Sequence, residues 1–259
     1  MAEQFRKGGS LPTPWLKYFK RSPQALVQLY CFPYAGGASS TFRSWAQALF
    51  PTVEVCAAQL PGRAERIFES PFDRLGPLID ALSAALYPSL NKPFALFGHS
   101  MGALVGFELA REIHRLCRLQ PVHLFVSGCR APQIGDSRPG IYDLPESEFL
   151  TELYRMNGTP KEAIENPELM QLMIPALRAD IAVYQTYRYV PGPRLTCPIT
   201  ALSGLEDERI SLNHLEAWRD LTSASFTVQM FHGDHFFLHP SEADVLQCLS
   251  THLKSFSRT

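Results

Sequence analysis

The sequence predicts an α/β fold, with a mostly parallel central sheet flanked by helices. Three observations predict it. Short apolar runs alternate with helical stretches through most of the chain. The runs are almost continuously apolar, as strands covered on both faces are. The chain has 259 residues with 46% hydrophobic content, enough for a sizeable core.

The expected strands are ALVQLYCF (25–32), VEVCAAQ (53–59), FALF (94–97), HLFVS (123–127), ITALS (199–203) and FTVQMF (226–231). Between them lie the expected helices TFRSWAQALF (41–50), LGPLIDALSAALYPSL (75–90), MGALVGFELAREIHRL (101–116), LNHLEAWRDL (212–221) and SEADVLQCLSTHLKSF (241–256). The alternation breaks between about Asp136 and Tyr189. There LPESEFLTELYRM and NPELMQLMIPALRADIAVYQTY both read as helical, with no strand between them. Pro145 suits a helix start, and Pro175 is expected to kink or split its segment. Insertions of this size in compact domains are often functional. The expectation is one domain over 1–259 with a helical lid at about 136–189.

Composition excludes several classes. Formal net charge is −1, which gives no electrostatic case for nucleic acid or an anionic membrane. No apolar run approaches the ~20 residues that span a bilayer, and the N-terminus lacks the apolar core of a signal peptide. The six cysteines (Cys31, Cys56, Cys117, Cys129, Cys197 and Cys248) show no C-x-x-C and no metal spacing. These features predict a cytoplasmic protein without structural zinc, taken here as a monomer.

Residues 98–102 read GHSMG, between the strand-like FALF and a long apolar helix. A nucleophile elbow needs that order: strand, sharp turn with small residues flanking the nucleophile, helix. Ser100 is therefore the candidate nucleophile. The helix N-terminus below it supplies backbone N–H groups and partial positive charge for an oxyanion. A serine hydroxyl needs a base, and the base needs an orienting acid. On this type of sheet the acid and then the histidine follow the serine in sequence. LSGLEDERI (202–210) follows a strand and offers Asp207, with Glu206 and Glu208 as neighbouring alternatives. MFHGDHFFLHP (230–240) follows the next strand. His235 sits on the loop before a helix and is preferred over His232 and His239. One oxyanion amide is expected from Met101. The other is expected from the loop CFPYAGGASS (31–40), with Ala35 as the candidate donor. That loop lacks the phosphate-binding pattern G-x-x-x-x-G-K-[ST].

Taken together, FPYAGG, QLPGRAER (59–66), GHSMG, GLED and GDHFF resemble the type II thioesterases of nonribosomal peptide and polyketide assembly lines. They are also similar to the free-standing thioesterase of animal medium-chain fatty acid synthesis. The resemblance runs from about Val27 to Leu249, and RAD (178–180) and EAWRD (216–220) also look like family segments. LPGR and GDHF are more distinctive than G-x-S-x-G, which many hydrolases share. The resemblance implies an α/β-hydrolase fold with a helical lid. It implies hydrolysis of acyl thioesters from the phosphopantetheine arm of an acyl or peptidyl carrier protein, with no cofactor or metal. Carried over, Ser100 is the nucleophile, His235 the base, Asp207 the acid, and Met101 and Ala35 the oxyanion donors. A chain with no carrier domain before the hydrolase is expected to act in trans. The first ~20 residues match less clearly and receive no role.

Two further readings concern specificity. Met156, Met170 and Met173 fall in the lid stretch, where adaptable side chains could line a permissive acyl pocket or pack the lid on itself. Arg63, Arg66, Arg178 and Arg188 could meet an acidic carrier or be ordinary surface charges. The alternatives weighed are an esterase, lipase or peptidase using the same three residues, and a non-catalytic binding module on the same fold. LPGR and GDHF weigh against the first, and the presence of all three residues against the second.

Overall fold

The computed structural model describes residues 13–136, 138–156 and 166–254. Residues 1–12, Ser137, 157–165 and 255–259 lie outside the described residues. They include most of the N-terminal stretch given no role and part of the expected lid.

Among the described residues the sheet has seven strands: β1 (Leu16–Lys17), β2 (Val27–Phe32), β3 (Val53–Ala58), β4 (Phe94–His99), β5 (His123–Ser127), β6 (Ile199–Gly204) and β7 (Phe226–Phe231). The spatial order is β1-β3-β2-β4-β5-β6-β7. Every neighbouring pair is parallel except β1 with β3, where Leu16 lies opposite Ala58. All six expected strands form, within two residues of their expected ends. β1 was not expected; two residues are too few to carry a periodic signal.

The strand periodicity of two divides the core into two layers. On β2, Tyr30 and Phe32 face one layer while Val27, Leu29 and Cys31 face the other. On β4, Phe94 and Leu96 join the first layer, and Ala95 and Phe97 the second. β2 through β6 are buried along their whole length. β7, at the edge of the sheet, is the exception: only Phe231 is buried on it.

The helices are α1 (Arg43–Ala48), α2 (Leu75–Leu86), α3 (Met101–Cys117), α4 (Glu146–Arg155), α5 (Pro167–Thr186), α6 (Leu212–Glu216) and α7 (Glu242–Lys254). α2 and α3 cover the first layer, and α1 and α7 the second. Short 3-10 turns precede α1 and follow α2 and α6, which accounts for the longer stretches expected there.

The break in the pattern after β5 is filled by α4 and α5, which share a third apolar cluster of Phe149, Leu153, Met170, Ile174, Leu177 and Ile181. α5 runs on through Pro175, so the segment is not split there as the sequence allowed. Pro175 sits on the exposed side of the helix, as does Gln171. The carbonyl that loses its N–H partner to proline therefore faces water rather than the core. Among the described residues no helix is long and apolar enough to cross a membrane.

β2 is flanked by β3 on one side and β4 on the other, so the chain reverses its direction of progress across the sheet there. Ligands on open parallel sheets bind at such a switch point, beyond the carboxyl ends of the strands. The loop after β2 and the turn after β4 both emerge at this place.

Candidate active site

The turn after β4 is a strained elbow. Ser100 has φ 55° and ψ −117°, a conformation that non-glycine residues adopt at a cost of about 1–3 kcal/mol. The elbow is held from both sides. Ser100 N–H donates to Ser127 O on β5 at 2.7 Å, and Ser100 O accepts from Ala103 N at 3.0 Å. The flanking glycines are required by space. A Cβ on Gly98 would lie 1.9 Å from Gly102 O, and one on Gly102 would lie 2.2 Å from Phe32 O. The motif is thus a crossing of backbones that no side chain fits between. Met101 is the first residue of α3, so its N–H has no partner within the helix.

Asp207, on the loop after β6, and His235, on the loop after β7, meet although 28 residues separate them. His235 Nδ1–H donates to Asp207 Oδ2 at 2.7 Å. The second oxygen, Asp207 Oδ1, accepts the Arg209 backbone N–H at 3.0 Å. Both side chains are buried, Asp207 completely. A carboxylate held this way directs the imidazole proton to Nδ1 and leaves Nε2 able to accept a proton.

The neighbouring alternatives do not share this arrangement. Glu206 accepts the Gly233 N–H through Oε2 and is exposed. Glu208 and His232 are exposed. His239 Nε2 is 3.1 Å from the Tyr34 hydroxyl.

Ser100 and His235 line one cavity of about 420 Å³ together with Ala35, Met101, Met156 and Arg209. No hydrogen bond joins the Ser100 hydroxyl to His235 among the described residues; such bonds often tighten only when substrate is bound. A larger groove of about 650 Å³ runs beside α2 and α3 and contains none of Ser100, Asp207 and His235. Among the described residues no group of His, Cys, Asp or Glu is arranged to hold a metal ion.

Of the three methionines, only Met156 lines the cavity. Met170 is buried in the α4–α5 cluster and Met173 packs against it, because the apolar face of α5 turns them inward. For these two the packing alternative describes their place.

The arginines also separate. Arg63 and Arg66 are buried, and Arg178 is half-buried, donating to Tyr142 O and Leu144 O with its guanidinium over the Phe149 ring. Only Arg188 is exposed. A carrier-facing role for Arg63 and Arg66 is therefore set aside; both are committed to internal partners.

The sequence reading gave no role to Asp180 or His99 and did not find the partner of Arg63. Arg63 forms a buried ion pair with Asp180 of α5. LPGR and RAD were visible as segments, but nothing in the sequence said that they meet. His99, beside the elbow, is fully buried, with Nδ1 2.8 Å from Ser127 Oγ and its ring 5.2 Å from that of His235. Burial holds the His99 imidazole well below its usual pKa, and the neighbouring His235 adds to this. His99 is a neutral, buried neighbour of His235 rather than a second charge.

Comparisons with known proteins give the family of the chain. The family model of the thioesterase domain matches residues 27–253. A protein of Brevibacillus parabrevis named linear gramicidin dehydrogenase LgrE is 44% identical over 95% of this chain and 94% of its own length. The gramicidin S biosynthesis protein GrsT of Aneurinibacillus migulanus is 40% identical over 93% and 94%. The solved structure of the type II thioesterase BorB from the borrelidin biosynthetic cluster superposes with a TM-score of 0.87 at 35% identity, covering 95% of this chain and all of that one. A dinucleotide-binding turn needs G-x-G-x-x-G, and nowhere in this chain do two glycines stand two positions apart.

Proposed function

Because the chain belongs to the thioesterase family, we propose that it releases acyl groups, chiefly aberrant or stalled ones, from the phosphopantetheine arm of carrier proteins in peptide or polyketide biosynthesis. The chain hydrolyses acyl thioesters, and its fold is the α/β-hydrolase fold. In this reading Ser100 is the nucleophile, His235 the general base and Asp207 the residue that orients it. The single observation that carries the assignment is the buried 2.7 Å contact of Asp207 with His235, at the rim of the cavity that Ser100 lines from a strained elbow.

The reaction follows from these positions. Ser100 Oγ attacks the thioester carbonyl carbon while His235 Nε2 takes the hydroxyl proton. Asp207 stabilises the resulting imidazolium. The oxygen of the tetrahedral intermediate is held by the N–H groups of Met101 and Ala35, each worth about 3 kcal/mol in comparable sites. Collapse breaks the C–S bond, and the imidazolium gives its proton to the departing thiolate. Water then attacks the acyl-serine ester, with His235 again as base. The free acid leaves and Ser100 is restored.

The described residues of 136–189, which exclude Ser137 and 157–165, serve as the lid in this reading. α4 and α5 stand over Ala35, and Met156 and Ile181 form part of the cavity wall. Arg188, exposed at the end of α5, remains available to an acidic carrier.

The test compares one acyl group on a carrier protein and on a small thiol, in the parent and in Ser100→Ala. Carrier contacts remote from the thioester help to orient the carbonyl, so kcat/KM is expected to be higher on the carrier. Ser100→Ala is expected to remove turnover on both substrates with the far-UV CD spectrum unchanged. Equal kcat/KM for the two substrates would remove the carrier from the reading. Parent-like turnover by Ser100→Ala would remove the nucleophile.

A further inference from the structure

The loop after β2 carries Ala35, and its shape is set from outside itself. Within the loop the only backbone bond that holds it is Gly37 N–H to Tyr34 O, at 2.9 Å, among the described residues. The neighbouring amide, Gly36 N–H, donates to Asp180 Oδ2 at 2.7 Å. Asp180 lies on α5, 144 residues further along the chain. The same carboxylate is gripped by Arg63: NH1 donates to Oδ2, and NH2 to Oδ1 at 2.8 Å.

Arg63 then reaches the loop directly. Its NH1 donates to Gly37 O at 3.3 Å, and its Nε to Pro61 O at 3.2 Å. Gln59 completes the frame. Its Nε2 donates to Arg63 O at 3.2 Å, while its Oε1 accepts both Ser39 N–H and Ser39 Oγ–H, at 3.2 and 2.7 Å. Asp180 is 2% exposed and Arg63 6% exposed. Leu177, three residues before Asp180 on α5, lies in the apolar cluster against which Ala35 packs.

Two consequences follow. A buried ion pair is weak evidence for stability, since desolvation opposes the Coulomb gain. What it does fix is direction: a bidentate fork has one good geometry. Here that geometry ties α5, the LPGR segment, the Gly36 N–H and the Gly37 carbonyl into one unit.

We propose that Arg63 and Asp180 are positioning residues for thioester hydrolysis: their buried pair holds the Tyr34–Gly37 turn so that the Ala35 N–H points at the reacting carbonyl oxygen only while α5 is seated on it. The proposal rests on the reading of Ala35 as an oxyanion donor. It makes the seating of α5 a condition for chemistry as well as for binding. A substrate or carrier that draws α5 toward the sheet assembles the oxyanion site, and one that lifts it dismantles the site before Ser100 can be acylated.

The test must separate positioning from stability. Removing one partner leaves the other charge buried and unpaired, so the informative variant is Arg63→Met with Asp180→Leu, which replaces the pair by apolar groups. Tm, kcat, KM, the affinity for a trifluoromethyl ketone that forms a tetrahedral adduct, and the affinity for an unreactive thioether analogue are measured together. Asp180→Asn, which keeps the volume, is measured alongside in case the double variant does not fold.

The expected result for the double variant is a Tm near that of the parent and a kcat lower by about 100-fold, with the ketone weakened by a similar factor. KM and thioether affinity are expected to stay within about threefold. Asp180→Asn is expected to show the same split between kcat and KM. Recovery of kcat along with Tm in the double variant, or parent-like kcat in folded Asp180→Asn, would overturn the proposal.

A third protein separates this from failure of the underlying reading. Replacing Ala35 by its α-hydroxy acid turns the amide into an ester, which removes that N–H and weakens Tyr34 O as the acceptor of Gly37 N–H; Tm is measured to show that the turn is kept. If the ester protein keeps full kcat, Ala35 is not a donor, and the positioning argument falls with it. If the ester protein loses kcat while the Arg63 and Asp180 variants keep theirs, Ala35 stands and the positioning role alone is refuted.

Discussion

Replacing Asp207 by asparagine keeps the side-chain volume and asks one oxygen to do the work of two. In the parent, Oδ2 accepts from His235 Nδ1 and Oδ1 accepts from Arg209 N–H. Asparagine offers one acceptor to these two donors. If its oxygen stays with Arg209, its NH₂ group faces His235 Nδ1, which must then be the bare nitrogen. The imidazole proton moves to Nε2, and the ring cannot take the Ser100 proton. If the amide flips, its NH₂ group faces the Arg209 N–H in a place fully closed to solvent. An unsatisfied buried donor costs about 1–3 kcal/mol, so the first arrangement prevails. It is the inactive tautomer.

The expected loss in kcat is on the order of 10⁴, the effect of the same exchange in a serine protease. That corresponds to about 5.5 kcal/mol on the barrier. Glu206→Gln retains an amide oxygen for Gly233 N–H, and Glu208 is exposed, so both glutamine variants should stay within about threefold of the parent. Thiol release from an acyl thioester gives kcat and KM, and thermal unfolding shows that each variant is folded. A folded Asp207→Asn within about tenfold of the parent would refute the tautomer argument. An inactive Glu206→Gln would place the acid elsewhere in the loop.

Two further outcomes are expected. Met156→Trp should shorten the longest acyl chain that is turned over, because Met156 lines the cavity of about 420 Å³; Met170→Leu, in the α4–α5 cluster, should change Tm and leave the acyl profile alone. The reverse pattern in a panel of acyl thioesters would mean that the acyl chain runs between α4 and α5. His123 is buried with its pKa lowered to about 3, chiefly by desolvation, and its Nε2 is 2.8 Å from Thr200 Oγ1. Its unfolded form binds a proton near pH 6.5, so its contribution is complete above that pH and is lost as pH falls toward 3, at up to ~1.4 kcal/mol per unit. Urea unfolding at several pH values should show a flatter acid slope for His123→Gln than for the parent, and identical slopes would contradict the assignment.

Much of the architecture is written in short-range patterns. The six longer strands and the flanking helices follow from apolar runs and from the periods of two and about 3.6, which are properties of backbone geometry over a few residues. The elbow is legible for the same reason: Gly98, Ser100 and Gly102 lie within five positions, and the steric demand that selects them is local. The order serine, acid, histidine could be followed along the chain because each residue stands just past a recognisable strand.

What only the tertiary structure decided concerns charges and contacts between distant segments. GLEDER offers three carboxylates, and the sequence could only prefer one. The choice comes from the approach of the loops after β6 and β7, which brings Asp207 against His235 and leaves Glu206 at the Gly233 amide. Arg63 reads as a solvated cation until α5 is laid across it, 117 residues away, and supplies Asp180. Met170 and Met173 read as pocket candidates until the rotation of α5 turns them into its own cluster. The tolerance of Pro175 depends on which side of that helix meets water. A propensity is felt over one or two turns of chain, whereas a buried charge is decided by whichever partner the whole fold brings within about 3 Å. The sequence of this protein therefore determined the scaffold and the candidate residues, and the packing of α5 and the two late loops decided which of them meet.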